Sequence, residues 1–366
     1  MLDIIKHLSL EIGPRGAGTI NEKRSAAYIA EQFNKEGLKV EEQEFHTIPT
    51  FSYPYIIIYT LLTAAVLLRL FQEMLISIAL AIISFIFYLL EEELYWPVLT
   101  KFLCIFGPKS RNVIGKFNIG KDKKIAIIAH YDSTKASYIF NPRRVGSLAL
   151  TIKLNFVASM AILILISASF FINIVEYLAL TACIPLIVSL LVLIHRELYH
   201  DYVPGANDNA SGVAVLISLT KELKNIKNKE IWFIATGSEE AGMIGMYNIL
   251  GKLRNYHIIN IDNVGAGKIY VTKEEGIVIK YRPKGKLYKI ASEISSQYGI
   301  GQISYTLLPT DATPAMCRSL DCITIIALGE KGIPVNYHWY NDTYEHINEN
   351  NLEIVKKFVI EIVNRI

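Results

Sequence analysis

The chain has 366 residues, 52% of them hydrophobic and only 19% charged, with a net charge of +3. No basic stripe with interleaved aromatics is present, so a nucleic-acid partner is not expected. A mean hydropathy of +0.31 exceeds what an ordinary soluble enzyme carries and points to membrane segments.

In chain order, residues 1–45 carry Lys6, Arg15, Lys23, Arg24, Lys35 and Lys39 with no apolar core between them, so no secretory signal is expected there. Ala26, Ile29, Ala30 and Phe33 share one helical face, which predicts a helix over 21–37 closed by Gly37. Residues 38–45 alternate and read as a strand. Two charge-free runs follow, 51–68 and 74–90, each long enough to span a hydrocarbon core. The short apolar run 124–129 reads as a buried strand ending at His130. A second pair of charge-free runs, 154–175 and 177–194, comes next. Asp208 then precedes a helix starting near Ala210, with Val213, Leu216 and Leu219 on one face. Residues 231–235 form another apolar strand, ending just before Gly237-Ser238-Glu239-Glu240. A helix follows Gly242, and the strand 257–261 leads into Asp262.

This alternation predicts an α/β fold, a mixed β-sheet flanked by helices, with two inserted transmembrane hairpins of two spans each. Residues 1–50, 99–145 and 196–366 would form one discontinuous domain, with hairpins at 51–98 and 146–195. Each insertion crosses the bilayer an even number of times, so every polar segment emerges on one side. Lys101, Lys109, Arg111, Arg143, Arg144, Lys153 and Arg196 flank that side, whereas the tips carry only Arg69, offset by Glu73, and Glu176. The positive flanks predict that the domain faces the cytoplasm, with an extracytoplasmic domain as the alternative. No ligand candidate lies inside a span, which argues against intramembrane proteolysis. The four cysteines, Cys104, Cys183, Cys317 and Cys322, are expected to be reduced, with a Cys317–Cys322 pair as the alternative.

Five residues stand out as metal ligands: His130, Asp208, Glu240, Asp262 and His338, with Glu239 beside them as a general base. Two imidazoles, three carboxylates and a spare glutamate suit a pair of divalent metals that activate water. His130, Glu240 and Asp262 lie at or just beyond the carboxyl ends of strands, where open α/β sheets build their sites. Asp132 is two residues past His130 and could hold its other ring nitrogen. Taken singly, each signal has a plainer reading. Asp208 fits a helix cap, a strand-end histidine is commonly structural, and His346 competes with His338.

Together these segments resemble the co-catalytic zinc aminopeptidases, the group that includes bacterial leucyl aminopeptidases, glutamate carboxypeptidase and glutaminyl cyclase. The resemblance begins at Ile12-Gly13-Pro14-Arg15, runs through Thr19, Glu22, Ala26-Ala27-Tyr28-Ile29 and Gly37-Leu38, resumes at Arg111-Asn112-Val113-Ile114-Gly115 and extends to Thr343 and the terminal helix. Both hairpins lie outside it. It implies that His130 binds one zinc with Asp132 orienting it. It also implies that Asp208 bridges, Glu239 is the base, and Glu240 and Asp262 complete the carboxylates. His338-Trp339-Tyr340-Asn341-Asp342-Thr343 is similar to the family's His-Thr-x-x-Asp-Thr, which selects His338 over His346. Two Zn2+ ions are therefore expected, with Co2+ or Mn2+ as substitutes. Peptides would be the substrates and the lipid bilayer a partner. The family's Ser-Asp-His appears as Thr310-Asp311-Ala312, and Tyr305 stands close to, but out of register with, a tyrosine that assists the oxyanion in some members. A single-zinc acyltransferase of the glutaminyl cyclase type and a catalytically silent scaffold are the competing readings.

Overall fold

The computed structural model describes every residue of the chain except Asn173. One sheet runs in the order β1-β2-β4-β3-β5-β8-β6-β7. Its strands are β1 Lys39–His46, β2 Lys109–Phe117, β3 Lys123–His130, β4 Lys229–Thr236, β5 His257–Asp262, β6 Lys268–Glu275, β7 Gly301–Tyr305 and β8 Cys322–Leu328. The central block β4-β3-β5-β8 is parallel, and every residue of β4 and β8 is buried. Parallel strands need helices on both faces, which is why these segments read as unbroken apolar runs rather than alternating ones.

Successive residues serve the two faces. Ile127 and Phe233 pack with Phe33, Val213, Leu216 and Phe358 on one side. Ile128 and Ile234 pack with Met246, Ile249 and Leu253 on the other. β1 is an edge strand whose Glu41, Glu42 and Glu44 pair with Lys116 and Arg111 of β2. Charge along an edge discourages pairing with another chain.

The first long helix of the sheet layer is Ile20–Lys35. Thr19 Oγ1 accepts the Glu22 backbone N–H at 3.2 Å, and Glu22 Oε2 accepts the Gly18 N–H at 2.7 Å, a reciprocal cap. The chain turns back at Gly37, whose φ of 78° suits glycine.

Among the described residues, four helices are long and apolar enough to cross a membrane: Ser52–Leu70, Met74–Glu93, Val145–Ala168 and Val175–Tyr199. They share a core of their own, built on Ile58, Leu62, Ala81, Ile162 and Leu186. Their outward surfaces, such as Ile82, Leu154, Ile164 and Leu191, stay exposed. The third differs from the predicted run 154–175. It starts earlier, because the exposed Lys153 does not stop the helix, and it ends at Ala168. A lysine stem packs along apolar surface while its ammonium reaches outward. Asn173, inside the predicted run, lies outside the described residues.

At the hairpin tips Arg69 is paired with Glu176, not with the neighbouring Glu73, at 2.8 Å and almost fully buried. The Ser169 hydroxyl and carbonyl accept from Nε and Nη2, and Gln72 Oε1 accepts from Nη1 at 3.3 Å. The four cysteines are free.

Candidate metal centre

β4, β3 and β5 are parallel neighbours, so their carboxyl ends share one edge. There the structure gathers His130 from the end of β3, Glu239 and Glu240 from the turn after β4, and Asp262 from the end of β5. His130 Nε2 lies 3.1 Å from Asp208 Oδ1 and 3.6 Å from Asp262 Oδ1. His338 Nε2 lies 3.1 Å from Asp208 Oδ2 and 3.2 Å from Glu240 Oε1. Two groups result, His130–Asp208–Asp262 and Asp208–Glu240–His338, each with ligand atoms within 4.8 Å of one another. Asp208 belongs to both, one oxygen facing each imidazole. Glu239 stands at the margin, 4.0 Å from His130 Nε2 and slightly more open than the rest.

The segment around Asp208 explains its own sequence. Asn209 Nδ2 donates to Ile261 O at 2.9 Å while its Oδ1 accepts the Gly212 and Asn263 N–H groups. Asn207 Oδ1 accepts the Gly265 N–H at 2.7 Å. The two asparagines flanking Asp208 therefore bind its loop to the segment that carries Asp262. Gly212 must be small, since a Cβ there would lie 2.6 Å from Ile261 O. Gly205 has φ 62°, and a Cβ would meet Asp208 O at 2.5 Å. The Asp208–Asn209 peptide is cis. Ser238, next to Glu239, Asn263, next to Asp262, and the candidate ligand His338 itself hold left-handed φ values of 55°, 53° and 52°. Such strain in non-glycine residues concentrates at functional sites.

Two further carboxylates hold the ligand loops from behind. Asp132 accepts the backbone N–H groups of Glu239 and Glu240, both at 3.0 Å. Its distance to His130 Nδ1 is 3.6 Å, beyond hydrogen-bond reach, so its direct grip is on the Glu239–Glu240 turn. Asp342 does the same for the other loop, accepting the Asn207 and Asp208 N–H groups at 2.7 and 3.0 Å. Arg15, fully buried, donates to the carbonyls of Tyr131, Leu8, Pro204 and Gly205, tying the segment after His130 to the approach to Asp208. Glu22 accepts the Ser238 N–H and hydroxyl at 3.1 Å.

Sequence reasoning assigned no role to Asp342, Arg15 or Glu22 at the site. Each lies inside a quoted motif, which was the available signal. Phe140 and Tyr337 pack edge-on and stacked against the His338 ring. His346 is exposed and pairs with Thr343, away from the cluster. Ala312, where the family's pattern has histidine, is fully buried.

Burial dominates the electrostatics. It lifts the Glu239 carboxyl well above the usual range, with Glu240, Asp311 and Asp262 adding to a rise that His130 only partly opposes. Burial also raises Glu240, and takes Asp311 and Asp342 each to about 7. Burial acts against protonation of His338, yet Glu240 and Asp208 bring it to about 9. Asp208 is the exception: despite burial, His130 and His338 hold it below the ordinary range. Asp208 Oδ2 and Glu240 Oε1 are buried without a hydrogen-bond partner although imidazoles stand close by. Carboxylate and imidazole atoms that converge without hydrogen-bonding geometry fit divalent cations, and zinc suits such N/O donors.

Residues 192–363 match the model of peptidase family M28. Aminopeptidase YwaD of Bacillus subtilis (strain 168) is 27% identical over 179 residues, 44% of this chain but only 38% of that relative's length. Among solved structures, BSAP, a zinc aminopeptidase from Bacillus subtilis, superposes with a TM-score of 0.57 at 16% identity, covering 100% of this chain and 94% of its own. The glutaminyl cyclase of Bacteroides thetaiotaomicron gives 0.54 at 16% identity, covering 99% and 95%. At such identities these structures speak for the fold, a mixed sheet flanked by helices.

Proposed function

Because residues 192–363 match the model of peptidase family M28, we propose that the chain is a zinc-dependent metallopeptidase, and more narrowly a two-metal aminopeptidase anchored in a membrane. The observation that carries the narrower reading is Asp208, shared by two ligand groups that each add an imidazole and a further carboxylate. One group would hold a cation with His130 and Asp262, the other with Glu240 and His338. Bound divalent metals supply Lewis acidity and an acidified water.

The chain's own residues do the rest. Glu239, next to a ligand but outside both groups, takes the water's proton and returns it to the departing amine. Asp132 keeps the Glu239–Glu240 turn in place through the backbone and favours the imidazole of His130 by charge. Tyr305, buried beside the ligands in the same cavity, is the hydroxyl available to the developing oxyanion.

In this reading residues 1–50, 99–145 and 196–366 form the peptidase domain, and the hairpins at 51–98 and 146–195 are its membrane anchor, with the domain in the cytoplasm. Metal analysis coupled to hydrolysis of aminoacyl p-nitroanilides, with a chelator control, tests it. Two cations per chain with zinc-dependent release of the amino-terminal residue are expected. One cation with cyclisation of amino-terminal glutamine would favour the glutaminyl cyclase reading, and bound metal without turnover a silent scaffold.

A further inference from the structure

A cavity of about 410 Å3 reaches from the ligand cluster into the helix bundle, and its far wall has no part in the chemistry above. The volume is in the roughly 300–1,000 Å3 range of ligand sites. His130, Asp208 and Glu240 lie at one end. At the other, Tyr55 and Tyr59 come from the first apolar helix, Ile152 from the third, and Val188 and Val192 from the fourth. The four-residue spacings of Tyr55 and Tyr59 and of Val188 and Val192 put each pair on one face of its helix. Between Arg196 and Val188, both on the wall, the fourth helix rises about 12 Å. The cavity thus extends well into the depth of helices able to cross a membrane.

The wall offers a ligand little but apolar surface. Its polar side chains in the bundle are already partnered: Glu92 accepts from Tyr55 Oη and Glu91 from the Thr100 N–H and hydroxyl, while Asn155 Nδ2 donates to Tyr59 Oη at 3.1 Å and to Ser189 Oγ at 2.9 Å, and Ser189 donates back to Asn155 Oδ1. Arg196 is equally committed. It donates to Ser52 Oγ and Thr134 Oγ1, both at 2.8 Å, and to the Lys135 carbonyl, and it packs over Phe51 at 4.4 Å. One buried guanidinium therefore joins both hairpins to the segment that follows His130, so the apolar wall and the ligands are held in fixed relation.

We propose that this cavity binds the apolar stretch adjoining a substrate's amino end, and that the substrates are membrane-partitioned peptides that reach the ligand cluster through the hairpin bundle. The proposal rests on the aminopeptidase reading and names its substrate class.

The test uses the full-length, zinc-loaded protein in phosphatidylcholine vesicles and two peptides with the same amino-terminal leucine, one continuing with apolar residues and one with serines. The apolar peptide should be cleaved with a kcat/KM about tenfold or more higher. Partitioning alone would also favour it, so Val188→Trp and Ile152→Trp, which fill the wall, are compared at unchanged metal content and Tm. Each should shrink the ratio between the two peptides towards one, since vesicle partitioning is the same for every variant. A wild-type ratio near one, or a ratio that both tryptophans leave intact, overturns the proposal while hydrolysis of leucine p-nitroanilide upholds the aminopeptidase reading. A bilayer lipid retained in the cavity and not displaced by the apolar peptide also overturns it. Loss of hydrolysis on every substrate would overturn both.

Discussion

At the scale of single residues, the site separates two kinds of carboxylate. Asp208, Glu240 and Asp262 point their oxygens at imidazoles or at one another, while Asp132 and Asp342 spend theirs on backbone N–H groups. Glu239 does neither, and that is why it is the proposed base. Glu239→Gln keeps size and hydrogen bonding but cannot accept a proton. It should leave metal content unchanged and lower kcat by about 10²–10⁴-fold. Metal analysis beside steady-state kinetics checks this, and near-normal turnover with a full metal complement would remove Glu239 from the role. The ligand candidates were legible because each needs only a chemically apt residue at the end of an apolar run. Arg15 was not, because its partners, the carbonyls of Tyr131, Pro204 and Gly205, are far away in sequence and carry no side-chain signature.

Among the elements, the two hairpins show what local reading of charge misses. Arg69 appeared offset by Glu73, yet its partner is Glu176 on the other hairpin, and both are nearly inaccessible. A buried charge stripped of its partner is costly, typically about 3–5 kcal/mol, whereas replacing both with apolar residues of like volume is often near neutral. Arg69→Met alone should therefore lower the Tm of the detergent-solubilised protein markedly, and the double variant with Glu176→Met should recover most of the loss. Equal losses in the single and double variants would show that the pair contributes through something other than compensation of charge. The strands β3, β4 and β5 were readable from their apolar runs. The third apolar helix was displaced because absence of charge is a poor guide to a helix end when a lysine can extend away from the apolar face.

For the whole molecule, the buried acids couple stability to pH and metal. Glu22 is raised to about 8, Asp311 and Asp342 to about 7, and His338 to about 9, with Glu239 and Glu240 also raised. A group whose proton affinity is higher in the folded state binds more protons there than in the unfolded chain. Stability must then fall as pH rises from the ordinary value to the raised one. For the acids that window runs from about pH 4 to 8, and for His338 from about 6.5 to 9. The metal-free protein should accordingly lose Tm between pH 5 and 9. Zinc, which competes for the deprotonated ligands, should raise Tm by an increasing amount over the same interval. Thermal unfolding with chelator or zinc across that range decides it, and a zinc effect that shrinks with pH would contradict the site.

The proposed sidedness is tested separately. Phe71→Cys, at an exposed hairpin tip, should react with a membrane-impermeant maleimide on intact cells. Lys121→Cys, in the β2–β3 turn, should react only after lysis. The reverse pattern would invert the topology, and labelling of both on intact cells would break the even-crossing scheme.

What the amino-acid sequence determined by itself was local: which runs are apolar enough to be buried strands or membrane-length helices, and which side chains have the chemistry to bind a cation. Those properties depend on neighbours a few residues away, so one dimension suffices. Only the tertiary structure decided that β4, β3 and β5 lie side by side, bringing His130, Glu240 and Asp262 to one edge, and that Asp208 divides its oxygens between two imidazoles. It alone decided that Asp342 and Arg15 hold the ligand loops and that all four apolar helices contribute to the cavity wall. These are relations between segments far apart in the chain, set by packing and by the need of every buried polar group for a partner, and no stretch of sequence carries them singly.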